Sequence, residues 1–464
     1  MRHCVQRGYR TSTVIFQFPA WFFSRSLGDA SIHKIGIIMC PARTASKRSI
    51  EKSINSLIPH LSHDTRHLTD ATIFRIEQLL YFHEDLKQWS DKPRLFTLLR
   101  MLEYDDNTLR QFLNAGINDY FLPINEDVFS GLGVRRSAER WDEFERAQRY
   151  ILLGPDDTSK SSLQDKPDRH RNLEYGDLVF RDAGVLDRGA TATVSKVQLH
   201  TCDSAGNGRL YACKRLMRSQ GTKQHKLQLQ LFMDELQILR KISHPHTVRL
   251  VTSYTDLEVF ALVLDPVADN SLRDLLNQAS SIPLNLGDLT YLRQWFGCLA
   301  SALVHLHDKN VRHKDIKPSN VLLRKGTVYL CDFGISFDCT GFDPTTEGPS
   351  PRTPGYCAPE VQDATARDYR SDVWSLGRVF CDMLVVLAGS RITELLERIG
   401  GDLHGIYDDR FQDDLHRWLS SFSFESTPHD CLATSIQQLV EKMVSDHGPF
   451  RHRICSLRSD VQRS

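Results

Sequence analysis

The sequence predicts an α+β fold, in which a strand-rich lobe is followed by a helix-rich lobe and preceded by a small, mainly helical region. Three observations support this prediction. Apolar residues recur at helical spacing between about 49 and 153, short β-type runs follow between 178 and 265, and helical patterns dominate beyond Leu272. A strand-rich lobe and a helix-rich lobe are expected to leave one cleft between them, which is a common place for a ligand site.

The composition of the 464 residues is ordinary for a soluble globular protein, with 41% hydrophobic and 25% charged residues. Lys plus Arg and Asp plus Glu each total 58, so the formal charge of zero indicates neither a nucleic-acid partner nor an anionic membrane surface. The 11 cysteines are scattered and never spaced as C-x-x-C, which argues against a disulfide framework and a zinc site. No apolar run approaches the roughly 18 residues of a membrane span. We therefore expect an intracellular protein, cytoplasmic or nuclear.

Residues 1–48 are predicted to be a disordered or targeting-like tail. No acidic residue precedes Asp29, and the arginines and hydroxyl residues before it have the bias of a mitochondrial transit peptide. Two other interpretations stay open, namely an unstructured tail and a true start at Met39. Mitochondrial targeting by residues 1–28 rests on composition alone.

Residues 49–153 are predicted to form a helical N-terminal region. Asp70 is a plausible N-cap for its first strongly periodic stretch, and Gly116 is a plausible stop for its second. No catalytic constellation appears here, so we expect the region either to pack as a small helical unit or to bind a protein partner. The polar, Ser-, Asp- and Pro-rich residues 154–174 are predicted to be a linker.

Beyond the linker, five β-type runs surround one helical run, "LQLQLFMDELQILRKI". This pattern predicts a mixed sheet with a helix packed against it. Further along, "VLLRKGTVYLCDFG" interrupts the helical patterns, and Lys325 with Gly326 indicates a hairpin turn.

The segment "VRHKDIKPSN", residues 311–320, places a histidine, two lysines, an aspartate and an asparagine directly after an apolar helical stretch, and "CDFG" follows it. Phosphoryl transfer requires a held polyphosphate, a metal and a cation to neutralise its charge, and a hydroxyl oriented in line with it. These residue types meet those needs. Residues 175–460 resemble a protein kinase catalytic domain, which implies a bilobal fold with a β-rich N-lobe and an α-helical C-lobe.

By that resemblance, Asp315 would accept or orient the proton of the attacking hydroxyl, and Lys317 would lie beside the transferred phosphate. Asn320 and Asp332 would bind Mg²⁺, because oxygen ligands suit a hard cation. The cofactors implied are ATP and Mg²⁺, and the partner implied is a protein substrate with a Ser or Thr acceptor.

The same resemblance assigns the nucleotide-binding half. Lys214, on a predicted strand, would grip the α and β phosphates, and Glu235, on the predicted helix, would pair with it. Asp265, through its backbone C=O, and Val267, through its N–H, would contact adenine, with Leu264 as the gatekeeper.

The glycine-rich loop is the weakest match. The segment "DRGATATV", residues 187–194, keeps one glycine of three, since Asp187 stands at the first position and Ala192 at the third. Glycines there permit close backbone approach to phosphate. The carboxylate of Asp187 would repel phosphate unless it turns outward, or it could form a local side-chain-to-backbone turn. The expected nucleotide contacts of this loop are Leu186, Gly189 and Val194.

The segment after "CDFG" resembles an activation segment that closes in Ala358-Pro359-Glu360. Thr353 and Lys317 match residues of serine/threonine kinases. By the same resemblance, residues 311–320 are the catalytic loop, and Asp372 would brace its backbone.

Two departures concern regulation and the end of the domain. Lys314 replaces the usual arginine of H-R-D and cannot make a bidentate fork to phosphate, so we expect activity that is constitutive or weakly tuned by phosphorylation of Thr345, Thr346 or Ser350. Either Arg451 or Arg453 is expected to pair with Glu360.

Two functions from different classes follow from these residues. The first is an ATP-dependent protein serine/threonine kinase, and its alternative is a pseudokinase scaffold with little or no turnover because the glycine-rich loop is degenerate. A narrower resemblance, carried by "PVADNSL" and "FLNAGINDYFLP", is to serine/threonine kinases of filamentous fungi with an N-terminal helical region.

Overall fold

The fold is known from a computed structural model. It describes residues 46–62, 67–132, 138–152, 170–174, 179–189, 192–199, 208–219, 222–348, 353, 355–390, 411–421 and 430–444. The predicted tail up to residue 45, including Met39, and most of the predicted linker lie outside the described residues.

The N-terminal region is helical, as predicted. Its α-helices in the described residues are α1 (Lys47–Leu57), α2 (Asp70–Phe82), α3 (Pro93–Met101), α4 (Asp106–Asn114), α5 (Glu126–Gly131) and α6 (Ala138–Arg149). The predicted N-cap of α2 was wrong by one residue, because Thr69 has the extended backbone of a cap and its side chain accepts the N–H of Thr72.

A single helical pattern in the sequence becomes two helices in the structure, α3 and α4. The division occurs where the side chain of Asp105 accepts the N–H of Thr108 and begins a new helix. The predicted stop at Gly116 is confirmed, since α4 ends at Asn114 and Gly116 follows with a φ of +72°.

The strand-rich lobe contains a six-stranded sheet in the order β1-β5-β6-β4-β3-β2. The strands are β1 (His170–Asn172), β2 (Phe180–Arg188), β3 (Ala192–Leu199), β4 (Leu210–Met217), β5 (Arg249–Thr255) and β6 (Val259–Asp265). Strands β2 to β6 are the five predicted runs. The additional strand β1 comes from the end of the predicted linker, pairs in parallel with β5 and covers that edge of the sheet.

One long helix, α7 (Thr222–Lys241), packs on a face of this sheet through Leu229, Phe232 and Leu236, which are at most 3% exposed. The apolar core beneath α7 is continuous with the cores of the N-terminal region and of the helix-rich lobe. The N-terminal region therefore packs against the rest of the molecule, and the binding of a protein partner by this region stays a prediction.

The helix-rich lobe follows. Its helices in the described residues are α8 (Leu272–Ala279), α9 (Leu286–Asp308), α10 (Pro359–Gln362), α11 (Tyr369–Leu387), α12 (Phe411–Ser421) and α13 (Asp430–Met443). Its short strands are β7 (Asn270–Ser271), β8 (Val311–Arg312), β9 (Val321–Arg324), β10 (Thr327–Leu330) and β11 (Phe337–Asp338). A strand-rich lobe before a helix-rich lobe confirms the predicted α+β class.

The hairpin between β9 and β10 has the predicted two-residue turn. Lys325 and Gly326 have φ values of +47° and +76°, which suit a turn of type I′. A side chain at Gly326 would also collide with the Tyr291 ring, whose atoms lie 2.6 Å from an added Cβ. In the part of the chain that the structure describes, no helix is both long and apolar enough to cross a membrane.

Candidate active site

An ion pair joins β4 to α7 in the strand-rich lobe. Lys214 lies inside the sheet, where β4 pairs with both β3 and β6, and its Nζ lies 2.8 Å and 2.9 Å from the two carboxylate oxygens of Glu235. The same Nζ donates to Oδ1 of Asp332 at 2.7 Å. Three charged groups from distant parts of the sequence therefore meet at one point.

Burial and charge oppose each other in this cluster. Burial would lower the pKa of Lys214, but Glu235 and Asp332 outweigh it and hold that pKa above its ordinary value. Burial raises the pKa of Glu235, and Lys214 opposes the rise. Burial would also raise the pKa of Asp332, yet Lys214 holds it below the ordinary value. Lys214 is therefore a firmly protonated cation, and the Asp332 side chain beside it is 45% exposed to the cleft.

Asp315 lies at the centre of a second group. Its Oδ1 accepts a hydrogen bond from the hydroxyl of Thr353 at 2.6 Å, and its Oδ2 accepts one from the amide of Asn320 at 3.0 Å. Lys317 Nζ lies 2.7 Å from Oδ2 of Asp315 and donates to the Thr353 hydroxyl at 2.9 Å. The other three side chains fix the orientation of the Asp315 carboxylate.

The backbone beneath Asp315 is braced from α11, as the sequence predicted. The carboxylate of Asp372, which is 1% exposed, accepts the backbone N–H groups of His313 and Lys314, each at 2.8 Å. The ring of His307 contributes a third contact at 3.2 Å. Burial would raise the pKa of Asp372, but His307 and neighbouring cations hold it below the ordinary value. Asp372 is therefore an ionised anchor for the loop.

The hairpin β9–β10 brings the two groups together. Asn320 directly precedes β9 and Asp332 lies two residues after β10, so antiparallel pairing places the two strand ends side by side. The N–H of Cys331 donates to the C=O of Asn320 at 3.0 Å. Asp332 itself has a φ of +64°, an unfavourable value for a residue other than glycine. Local strand pairing thus explains why Asn320 and Asp332 are neighbours.

The turn that replaces the glycine-rich loop joins β2 to β3. Asp187 pairs with Val194 in the ladder, Leu186 precedes it on β2, and the N–H of Gly189 donates to the C=O of Ala192 at 2.9 Å. The Asp187 carboxylate accepts the N–H of the next residue at 2.8 Å and is exposed. Of the alternatives left open by the sequence, the local side-chain-to-backbone contact is present.

The segment predicted to contact adenine lies at the end of β6. Asp265 and Val267 are 9% and 7% exposed. The Asp265 side chain accepts hydrogen bonds from Arg209 at 2.7 Å and from Arg249 at 3.1 Å. Sequence reasoning missed both arginines, because one precedes β4 and the other begins β5, and neither carries a recognisable motif.

Arg312 is a further residue that sequence reasoning missed. Arg312 is 1% exposed, and its guanidinium donates to the Thr346 hydroxyl at 2.9 Å and to the C=O of Arg367 at 3.1 Å. Burial, followed by the nearby charges of Arg312 and Arg367, lowers the pKa of Lys314. The residue that holds Thr346 is therefore Arg312, two positions before Lys314. Weak tuning by phosphorylation stays a prediction.

The predicted partners of Glu360 cannot be compared with the structure. Its carboxylate accepts the hydroxyl of Ser371 at 3.0 Å, whereas Arg451 and Arg453, like Ser350, lie outside the described residues.

Comparison with known proteins identifies the domain that carries this geometry. The family model of the protein kinase domain matches residues 180–457. The cytokinesis protein sepH of Aspergillus niger is 32% identical over 165 residues, which cover 35% of this chain and 12% of the relative. Mitogen-activated protein kinase kinase kinase ANP1 of Arabidopsis thaliana is 30% identical over 212 residues, which cover 45% and 30%.

A third relative is the cAMP-dependent protein kinase catalytic subunit of Arthrobotrys oligospora, which is 31% identical over 188 residues, covering 40% of this chain and 34% of the relative. The chain thus matches about a third or less of the length of each of these three relatives. The family model, by contrast, matches more than half of the chain, in the same two lobes that hold the candidate site. The chain belongs to the protein kinase family.

Proposed function

We propose that the protein is an ATP-dependent serine/threonine protein kinase, which transfers the γ-phosphoryl group of Mg-ATP to a hydroxyl of a protein substrate. One observation carries this proposal: the hydrogen-bonded group around Asp315 and the ion-paired group around Lys214 are both complete and are linked through the β9–β10 hairpin. Catalysis by such a site would come from positioning and charge stabilisation.

The donor set fits magnesium bound together with nucleotide phosphates. In the described residues, no three His, Cys, Asp or Glu side chains form a metal site by themselves. Mg²⁺ in phosphoryl-transfer sites is usually held by one or two carboxylates plus substrate phosphates. Asp332 offers a partly exposed carboxylate, and Asn320 offers an amide next to it. When bound there, the ion would neutralise charge that develops on the phosphates.

Each residue of the Asp315 group has a role in the proposed reaction. The carboxylate of Asp315 accepts the proton of the attacking hydroxyl, and Thr353 and Asn320 hold that carboxylate in position. Lys317, which contacts both Asp315 and Thr353, presents its ammonium to the transferred phosphate. The presence of Lys317 and Thr353 supports a serine or threonine acceptor rather than tyrosine.

In this proposal, the nucleotide is held by the ion-paired group around Lys214 and by the strand-rich sheet. Lys214 contacts the α and β phosphates, and Glu235 keeps the ammonium in place. Leu186, Gly189 and Val194 cover the nucleotide, and the backbone of Asp265 and Val267 binds adenine. We expect a cytoplasmic or nuclear location, because the scattered cysteines suit a reducing compartment.

A second candidate function is a pseudokinase scaffold. The observation that favours it is the single glycine in the β2–β3 turn, with Asp187 at the first glycine position. The exposed Asp187 carboxylate accepts the backbone N–H of Arg188, so it forms the local turn rather than facing phosphate alone. We therefore place the kinase first.

The test is transfer of radiolabel from Mg-ATP to a generic basic protein by the full chain. Asp315→Asn should lower the rate roughly a hundred- to ten-thousandfold, because it removes the base. The matched control is Asp142→Asn, which changes an exposed aspartate of α6. A folded wild-type protein that transfers no label would overturn the proposal and favour the scaffold.

A further inference from the structure

Helix α7, which carries Glu235, contacts the N-terminal region. Near its start, the ring of His225 stacks on Phe121 at 5.3 Å, and Lys226 Nζ donates to the C=O of Ala115 at 2.7 Å. Near its end, Arg240 donates to the Tyr120 hydroxyl at 3.2 Å. Residues 115–122, here called the docking segment, thus contact α7 on both sides of Glu235.

The docking segment is also tied to the sheet. Arg218, directly after β4, donates to the C=O of Phe121 at 2.8 Å. Asn172 of β1 donates to the C=O of Asp119 at 2.7 Å, and the hydroxyl of Thr255 donates to the C=O of Leu122 at 2.6 Å. The same short segment therefore holds both α7 and the sheet that carries Lys214.

Strand β1 fills the corner between these elements. The ring of His170 lies 4.5 Å from Tyr120 and 5.9 Å from Phe232 of α7, measured between ring centroids. Its Nδ1 lies 3.0 Å from the hydroxyl of Ser253 on β5. Burial, and then nearby arginines, lower the pKa of His170 well below its ordinary value, so it packs as a neutral ring.

These contacts bear directly on the ion pair of the cleft. The Lys214–Glu235 pair exists only while α7 keeps its angle to the sheet, because Lys214 is fixed by β4 and Glu235 moves with the helix. A helix packed on a sheet through one face has other accessible angles, and contacts made in only one arrangement favour that arrangement. The docking segment makes such contacts at both ends of α7 and on the sheet.

We propose that the docking segment positions Glu235, so that the N-terminal region acts in cis to keep the nucleotide-binding half of the cleft assembled. Tyr120 and Lys226 are positioning residues in this arrangement, because they act on the site through α7 and touch no reacting atom. The inference deepens the proposed function and shares its cleft, but its test does not require turnover.

The experiment uses the full chain with the double substitution Tyr120→Phe and Lys226→Met, which removes one polar contact at each end of α7 and leaves the buried Phe121 in place. Lys226 is exposed and Tyr120 is partly exposed, so the protein should still fold. The control is Lys223→Met, which removes an exposed cation from the same helix and leaves the named contacts intact.

Two quantities are measured, namely amide hydrogen exchange across α7 and the affinity for Mg-ATP by calorimetry. We expect exchange to accelerate and affinity to fall roughly five- to thirtyfold in the double variant, and neither to change in the control. Exchange that is unchanged, or faster exchange with unchanged affinity, would overturn the inference.

A double-mutant cycle separates positioning from general support. In a Glu235→Gln background, the docking substitutions should no longer weaken nucleotide binding, because their effect passes through Glu235. Additive losses of affinity would assign the docking segment a structural role alone. If wild type binds nucleotide but transfers no phosphate, the proposed function fails while this cycle still decides the inference.

Discussion

The catalytic loop and helix α7 are held in place in different ways. The loop is braced from inside its own lobe, where the buried Asp372 on α11 accepts two backbone N–H groups. Helix α7 packs on the sheet of its own lobe and is held in addition from outside the two lobes, by ring contacts and hydrogen bonds to the docking segment. In the proposed function, the proton-handling half of the cleft is thus braced within the C-lobe, whereas our further inference makes the phosphate-binding half depend also on residues that precede the kinase domain.

This difference predicts that substitutions in the two regions will have different effects on stability and on nucleotide binding. Charge-assisted hydrogen bonds in a dry interior are stronger than neutral or exposed ones. Substitutions of Asp372, which braces the catalytic loop, should therefore lower both stability and turnover. Lesions around α7 should weaken nucleotide binding first.

The largest effect is expected for Asp372→Ala. The substitution leaves the buried N–H groups of His313 and Lys314 without their acceptor, which should lower the free energy of unfolding by about 3–5 kcal/mol. Denaturant titration measures the loss, and phosphate transfer should fall with it. The exposed Asp363, substituted in the same way, is the control. A loss below about 1 kcal/mol would show that the loop has another brace.

The next effect is a pH dependence of stability at His225 of α7, whose ring stacks on Phe121 of the docking segment. His225 is fully buried, and burial followed by the charge of Arg218 lowers its pKa from 6.5 to about 4. The folded state therefore excludes a proton that the unfolded chain binds below pH 6.5. Stability is complete above that pH and falls as the pH decreases toward about 4, by up to roughly 3 kcal/mol.

Comparing the pH dependence of stability of wild type with that of His225→Leu isolates the contribution of His225, because the carboxylates titrate in both proteins. Wild type should lose more stability than the variant between pH 6.5 and 4.5, measured by denaturant unfolding. Parallel curves would mean that His225 is accessible to protons in the folded state.

A smaller effect is expected for Gly377→Ala, on the helix that carries Asp372. An added Cβ would lie 2.8 Å from Val444 and 2.9 Å from Met443, so α11 and the end of α13 must separate, at a cost of about 1–3 kcal/mol. Gly297→Ala in α9 is the matched control, because its Cβ meets no atom within 4 Å. That control should be neutral or stabilising by up to about 1 kcal/mol. Equal changes in melting temperature in the two variants would contradict the expected clash of the added Cβ with Val444 and Met443.

The smallest effect is expected at the β2–β3 turn. Asp187→Gly should lower the KM for ATP only two- to fivefold, roughly 1 kcal/mol or less, because the carboxylate is exposed and already contacts its own backbone. Asp187→Asn separates charge from backbone freedom. A gain well above tenfold would mean that this turn, rather than α7, limits nucleotide binding.

The sequence allowed the α+β fold, the five central strands, the β9–β10 turn and the bracing role of Asp372 to be predicted. The first three follow from periodicity and turn residues, which neighbouring residues carry along the chain, whereas the role of Asp372 was implied by the resemblance to protein kinases. The boundaries were less accurate, since Thr69 rather than Asp70 caps α2 and Asp105 divides one predicted helix into two.

Three features could not be predicted from the sequence. They are strand β1, the contact of Arg312 with Thr346, and the packing of residues 115–122 against α7. The pairs involved are far apart in sequence, as with Tyr120 and Arg240, and such contacts form only when separate elements meet. By itself, the sequence determined which reactive side chains the protein contains and which helices, strands or loops carry them, because secondary-structure propensity and motif spacing are local properties. Only the tertiary structure decided what holds those groups at hydrogen-bonding distance, because burial and long-range packing select one arrangement of the elements.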